Sequence, residues 1–191
     1  MDKSIGIFDL ADVIDRAIVM LTAGEEVDMP RLQKGIFLYL YSYAVAKGYD
    51  PGKVLDDAAY EPTEYGPVSD MVFGQAETLV GHGVIDMYRK GKNIIFSGPK
   101  EVKEEYLSHD NDEEKLLSNV KGLIRALSPL ELTFYIFYNP LIDGSIRKKF
   151  SPDIKIRELL VNNREKYITK FLKKGFIDEK TKNMIMELTE R

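Results

Sequence analysis

Val84-Ile85-Asp86-Met87-Tyr88-Arg89-Lys90-Gly91-Lys92-Asn93-Ile94-Ile95-Phe96 carries the clearest β signal in the chain, and its place after three helical segments decides the fold. Residues 84–88 and 93–96 are rich in β-branched and aromatic side chains, which suit a pleated, half-buried surface. Arg89-Lys90-Gly91-Lys92 between them reads as a tight turn, so the stretch is expected to form a β-hairpin.

Working back from the hairpin, residues 69–82 read as a helix capped by Ser69, with Met71, Val72, Ala76, Leu79 and Val80 along it and Gly81 and Gly83 ending it. Residues 48–68 hold Pro51, Gly52, Pro62, Gly66 and Pro67 and read as a long connection, with a short edge strand near 58–61. Before them, Asp28 and Pro30 start a helix running to about Lys47. It is apolar on nearly all sides (Leu32, Ile36, Phe37, Leu38, Leu40, Tyr43, Val45), as a helix at the centre of a domain must be. Residues 8–21 place Phe8, Ala11, Ile14, Ile18 and Leu21 on one helical face. Three helices followed by a hairpin is the order of a winged helix.

Downstream, Pro99 opens a charged helix to about Ser108, and Asn111-Asp112 starts another that ends near Leu127. Ser128-Pro129 begins a third over 130–138. A long helix spans roughly 153–174, with Asn162-Asn163 as its candidate interruption, and Asp178 caps the last one. The expected fold is therefore mainly α with a small β-hairpin: a winged-helix domain over 1–98 and a helical C-terminal subdomain over 99–191.

Hydrophobic residues make up 44% of the 191 positions and charged residues 30%, which fits a folded globular chain rather than a disordered one. With no cysteine, disulfides, thiolate metal sites and cysteine nucleophiles are excluded. The histidines, His82 and His109, lack paired-ligand spacing, so no metal site is expected. Met1-Asp2-Lys3-Ser4 leads into an amphipathic stretch rather than a secretion signal, and no apolar run is long enough to span a bilayer, which gives a cytoplasmic expectation. Charge is uneven: residues 1–28 hold two basic and seven acidic groups, 100–115 three and seven, and 144–174 ten and three. A charged partner would meet the basic stretch first.

Three short motifs carry a family resemblance. Leu32-Gln33-Lys34-Gly35-Ile36-Phe37-Leu38 resembles an LQK-x-x-F/Y-L helix; Pro62-Thr63-Glu64-Tyr65-Gly66-Pro67-Val68-Ser69 resembles a P-x-x-YGP-x-S element; and Leu79-Val80-Gly81-His82-Gly83-Val84-Ile85 resembles the L-x-x-x-G-L/I-I end of the next helix. Together they resemble prokaryotic YwgA-like winged-helix proteins and, more distantly, the SocA/Panacea antitoxin domain, over about residues 8–98. The resemblance implies a regulatory or antitoxin-like role and a protein partner such as a toxin. Read as residues, Leu32, Ile36 and Phe37 belong to the core, Tyr65 is expected to close packing over the hairpin, Gly66-Pro67 to fix a turn, and Ser69 to cap a helix. Gln33 or Lys34 is expected to bond the backbone of the 65–69 turn, because a polar group inside an apolar helix needs a partner.

A winged helix that reads DNA inserts its third helix into the major groove. Here that helix has Asp70 and Glu77 and no Lys or Arg, leaving Gln75, Thr78 and Ser69 as base readers. The hairpin tip is better suited, since Arg89, Lys90, Lys92 and Asn93 sit together. A second positive surface is expected from Lys155, Lys166, Lys170 and Lys173 on one side of the long helix, beside Ile156, Leu160, Tyr167 and Phe171 and preceded by Arg147, Lys148 and Lys149. These lysines either face a partner or pair with the acidic segments of the same chain.

No enzyme template fits. Gly91-Lys92 lacks the upstream glycine and the hydroxyl residue of a phosphate-binding loop, Gly81-His82-Gly83 ends a helix instead of opening one, and no G-x-S-x-G occurs. Asp56-Asp57 and the Glu61/Glu64 pair read as solvated loop acids. The chain is expected to have no catalytic residues and no cofactor. Two readings remain: a protein-interaction module of the regulatory or antitoxin kind, and a DNA-binding regulator that uses residues 89–93, as a homodimer.

Overall fold

The computed structural model describes residues 6–108 and 110–190, so His109 lies outside the described residues. The protein is mainly helical with small antiparallel sheets. It forms two compact units, one of Met1–Tyr60 with Val68–Ala126 and one of Glu61–Pro67 with Leu127–Arg191.

In the first unit α1 (Ile7–Thr22) buries Leu10, Ile14, Ala17, Ile18 and Leu21 completely, the 3.6-residue stripe of an amphipathic helix. Its terminal carbonyls are closed from outside, where Lys121 Nζ donates to Met20 O at 3.0 Å and Ala23 O at 2.7 Å. A cation there also answers the negative end of the helix dipole. A three-residue strand, β1 (Glu26–Asp28), leads into α2 (Met29–Lys47), whose N-cap Asp28 accepts from Arg31 N at 2.9 Å. Leu32, Ile36, Phe37, Tyr39 and Leu40 of α2 are all fully buried, so this helix is the axis of the unit, as its all-round apolarity requires.

Residues 48–68 are more ordered than a connection. They contain α3 (Pro51–Asp57), capped by Asp50, and a second hairpin of β2 (Tyr60–Thr63) and β3 (Gly66–Ser69). Proline at the first turn of α3 and glycine at the φ +105° position of the hairpin are compatible with both elements, so the residues that looked like breakers are their start and corner. Then come α4 (Asp70–Gly81), β4 (Asp86–Lys90) and β5 (Asn93–Ser97). Gly91 takes φ +64° at the first position of the two-residue β4–β5 turn, which a side chain would oppose. The sheet order is β1-β5-β4, with Val27 and Met87 both facing Phe96 across the strands.

The unit closes with α5 (Asn111–Ala126), which lies against α2 through Leu117, Val120, Leu123 and Ile124. The two helices meet at Gly35, where an added Cβ would stand 2.9 Å from Ile124 Cγ2 and 3.4 Å from Leu21 Cδ1. Gly35→Leu is therefore expected to destabilise the protein by about 2–3 kcal/mol through overpacking, read as a lower midpoint in urea with an unchanged slope.

Beside this contact lies a buried ionic cluster. The Glu113 carboxylate, 6% exposed, accepts from Arg16 Nε at 2.9 Å and from the Tyr39 hydroxyl at 2.7 Å, both on Oε1, and from Ser108 Oγ at 2.9 Å on Oε2. It ties α1, α2 and α5 to one side chain. Burial, then the Glu113 hydrogen bond, pushes the Tyr39 hydroxyl well above its ordinary pKa.

Two sequence expectations are corrected. The first unit does not stop at residue 98 but takes in α5, because that helix completes the cover of α2. Residues 99–108 form no helix, only a 3-10 turn at Glu104–Tyr106; their charged side chains leave no apolar stripe to bury. The helix expected over 153–174 is interrupted at its candidate break, giving α8 (Ile154–Asn162) and α9 (Arg164–Lys174) on either side of Asn163.

The second unit holds these two helices with α6 (Pro129–Tyr138), α7 (Gly144–Lys149) and α10 (Glu179–Thr189). Phe134 is its aromatic hub, with ring centroids 4.9 Å from Tyr138, 5.3 Å from Tyr167 and 6.0 Å from Phe171. The start of α6 is a capping box in which Ser128 and Glu131 bond each other's backbone. Burial alone would raise the Glu131 carboxyl, yet the Lys170 ammonium at 2.8 Å and the Ser128 hydrogen bonds hold it below the usual carboxylate range. No helix among the described residues is long and apolar enough to cross a membrane.

Candidate functional site

Gln33 of α2 and Ser69 at the end of β3 come together in the first unit as a structural node. Gln33, 2% exposed, donates from Nε2 to Ser69 O at 2.8 Å and accepts at Oε1 from Ser69 N at 2.9 Å. Its amide thus pairs with the Ser69 backbone as a neighbouring strand would. Ser69 Oγ donates to Ala58 O at 2.6 Å and caps α4 by accepting from Val72 N at 3.0 Å. The Tyr60 hydroxyl returns to Gln33 O at 2.8 Å. These bonds join α2, the residues before β2, β3 and the start of α4 at one crossing.

Lys34 plays no part in it. The side chain is 3% exposed, and burial pushes its ammonium down to about 8 while the Asp28 carboxylate pulls the other way. Between that value and the ordinary lysine value of 10.5 the folded protein binds fewer protons than the unfolded chain, so stability rises with pH across the window. Lys34→Met is expected to raise stability at pH 7 by about 2 kcal/mol and to flatten this rise, which urea unfolding at pH 7 and pH 10 would measure.

Tyr65, expected to close packing over the first hairpin, is instead half exposed at 50%; in the second unit only its backbone is engaged, as Thr133 Oγ1 donates to Tyr65 O at 2.9 Å. Gly66 and Pro67 are buried.

The surface of α4 is acidic or small: Asp70, Gly74, Glu77, Thr78 and Gly81 are exposed, and Gln75 is half-buried. His82 stands exposed at its C-cap. At the β4–β5 tip Arg89, Lys90, Lys92 and Asn93 are all exposed, but Lys90 Nζ is drawn 2.8 Å from Glu26 Oε2 on β1. The basic tip therefore has an acidic neighbour within its own sheet, and this exposed pair adds little to stability.

The break at Asn163 separates Lys155 from the other three lysines placed with it by sequence. Lys155 belongs to α8 and is exposed; Lys166 and Lys173 are exposed on α9; Lys170 is half-buried and paired with Glu131. The acidic segments of the first unit likewise find basic partners of their own, in Arg16–Glu113, Lys47–Asp110 and Arg125–Glu25.

The second unit has instead an open groove of about 880 Å³ between α6, α7, α8 and α10. Arg147 and Lys148 of α7 and Arg157 of α8 line it, against one acid, Glu158. Arg147 is oriented by its Nε, which donates to Ile142 O at 2.9 Å. Phe137, Val161 and Leu188 supply an apolar wall, and Ile154 stands at its margin 63% exposed. An apolar trough rimmed by guanidinium and ammonium groups can take an amphipathic, acidic segment. Sequence reasoning placed Arg147 and Lys148 in the basic stretch but missed Arg157 and the apolar wall, because four short helices must pack before these residues meet. Among the described residues no three His, Cys, Asp or Glu side chains converge in a way that could hold a metal. No family model, curated protein or solved structure matches the chain.

Proposed function

We propose that this protein is a non-enzymatic regulatory protein, built on a winged helix, that acts by binding another protein. The element order α1-β1-α2-α4-β4-β5 with sheet order β1-β5-β4 supports the winged-helix reading, with α3 and the β2–β3 hairpin inserted before the third helix. The observation that carries the functional reading is the basic, apolar groove of the second unit, lined by Arg147, Lys148, Arg157 and Ile154. The acidic exposed face of α4 supports it too, since that is the face a DNA-reading winged helix turns to phosphates. The motif resemblance to YwgA-like proteins and to the SocA/Panacea antitoxin domain adds a toxin as one class of partner, carrying an acidic amphipathic helix.

The test is a pair of measurements on the full chain. A synthetic amphipathic helix with Glu on its polar face is expected to bind the wild type and to lose at least tenfold in affinity against Arg147→Glu/Arg157→Glu. The same helix with Lys in place of Glu is expected not to bind. Fluorescence anisotropy on duplex DNA is expected to show only weak, salt-sensitive binding without sequence preference. Tight, sequence-selective duplex binding lost on Arg89→Ala/Lys92→Ala would overturn this reading in favour of a DNA-binding regulator, the alternative that the exposed basic tip supports.

A further inference from the structure

We infer that the free edge of β4 is a self-association site, through which two copies of the chain pair antiparallel about Tyr88 into one continuous sheet. The inference rests on the sheet alone and stands apart from the groove in the second unit. Among the described residues β4 is the end strand of the β1-β5-β4 sheet, and all five of its residues are exposed.

The register of the β4–β5 hairpin fixes which backbone groups are free. Lys90 faces Asn93 across the two-residue turn, and Tyr88 faces Ile95 and Asp86 faces Ser97. In a hairpin with a two-residue turn the pair that flanks it exchanges both hydrogen bonds, and such pairs then recur at every second residue. Asp86, Tyr88 and Lys90 therefore spend their N–H and C=O groups on β5. Met87 and Arg89 direct theirs outward, to the open edge.

An antiparallel copy has three ways to satisfy those groups. Pairing Met87 with Met87 leaves Lys90 without an opposite residue. Pairing Arg89 with Arg89 sets like charges face to face. Pairing Met87 with Arg89 of the second copy uses all the outward groups in four hydrogen bonds, brings the two Tyr88 side chains together as a close cross-strand pair, and sets Asp86 opposite Lys90 of the second copy at both ends, where Lys90 and the Tyr88 hydroxyl also bond Glu26 of their own chain. Only this register pairs opposite charges without setting like charges face to face, and the sequence Asp86-Met87-Tyr88-Arg89-Lys90 is complementary to itself only when read antiparallel. Charged residues ordinarily protect an edge strand from association; here the same charges favour one register over the others. The result is an isologous contact with two-fold symmetry, strand order β1-β5-β4-β4-β5-β1, and the two basic tips at opposite ends. A contact of five residues a side is small, so the dimer is weak, with a dissociation constant on the order of 100 µM.

Sedimentation and amide exchange on the full chain test this. The expected result is a monomer–dimer equilibrium in which the Met87 and Arg89 amides gain protection as concentration rises to about 1 mM, while Tyr88 and Lys90 do not change. Asp86→Lys, which sets lysines opposite each other, and Met87→Pro, which deletes an outward donor that β5 does not use, are each expected to weaken the dimer at least tenfold. A chain that stays monomeric to about 1 mM overturns the inference. So does a dimer in which Met87 and Arg89 stay unprotected, or one that survives Asp86→Lys unchanged.

Discussion

Replacing Glu113 with alanine is expected to lower the unfolding free energy by about 3–5 kcal/mol, the cost of breaking a buried ion pair from one side. The reason is the number of groups that depend on this carboxylate. Arg16 Nε, the Tyr39 hydroxyl and Ser108 Oγ all donate to it, and only Arg16 has appreciable access to water, at 25% of its side chain. Alanine leaves the tyrosine hydroxyl without an acceptor in the core and strips the guanidinium of its counter-charge. In a chain of this size the melting temperature should fall by about 10 °C. Glu113→Gln, which keeps an acceptor and removes the charge, should cost about half as much. Tyr39→Phe should cost about 1 kcal/mol alone and almost nothing on top of Glu113→Ala, a non-additivity that a double-mutant cycle would show. Additive losses would mean that the two side chains do not share this bond.

The second large effect is expected at Gln33. Gln33→Leu keeps the volume but leaves Ser69 N and Ser69 O unpaired in the interior, at a cost of about 2–4 kcal/mol. Ser69→Ala removes a different set, the bonds to Ala58 O and Val72 N, and should cost about 1–2 kcal/mol. The loss at Gln33 should be local in its first stage. Amide exchange in β3 and the first turn of α4 should speed up before that of α1 or α5, because the glutamine anchors the point where the hairpin becomes the helix. Equal acceleration throughout the first unit would show instead that the node is needed for global folding. Both substitutions leave the β4–β5 tip and the second-unit groove untouched, so they separate stability from the proposed binding roles.

Much of the backbone plan was legible in the residues. Caps at Asp28, Ser69, Ser128 and Asp178 each start a helix where the side chain accepts from a backbone N–H two or three residues on. The 84–96 hairpin is written in β-branched residues and one glycine, and the core face of α1 in its apolar stripe. These signals act over one to four residues, so one short window contains both the cause and the effect. Even the need of Gln33 for a partner followed from its neighbours, because an amide among leucines and aromatics cannot stay unpaired.

What the window does not contain is the other side of a long-range pair. β1 is three residues long, and nothing in Glu26-Val27-Asp28 marks it as a strand until β5 supplies its hydrogen bonds. Glu113 was one acid among seven in a charged segment; its partners, Arg16 and Tyr39, lie 97 and 74 residues away. The lysine face drawn along 153–174 ran across the candidate break at Asn162-Asn163, and the structure leaves Lys155 on α8 and the other three lysines on α9.

The hairpin that decided the fold shows the same division. By itself the sequence determined a hairpin with a glycine turn and an exposed basic tip, because a glycine with positive φ is a local requirement; the first strand runs over 86–90 and not 84–88, and the turn is two residues, not four. Only the tertiary structure decided that β1 covers β5 and leaves β4 as the free edge, and that Lys90 turns to Glu26. Strand order and charge pairing depend on which distant segments come to lie side by side, and burial of the whole core settles that, not the residues of the strand.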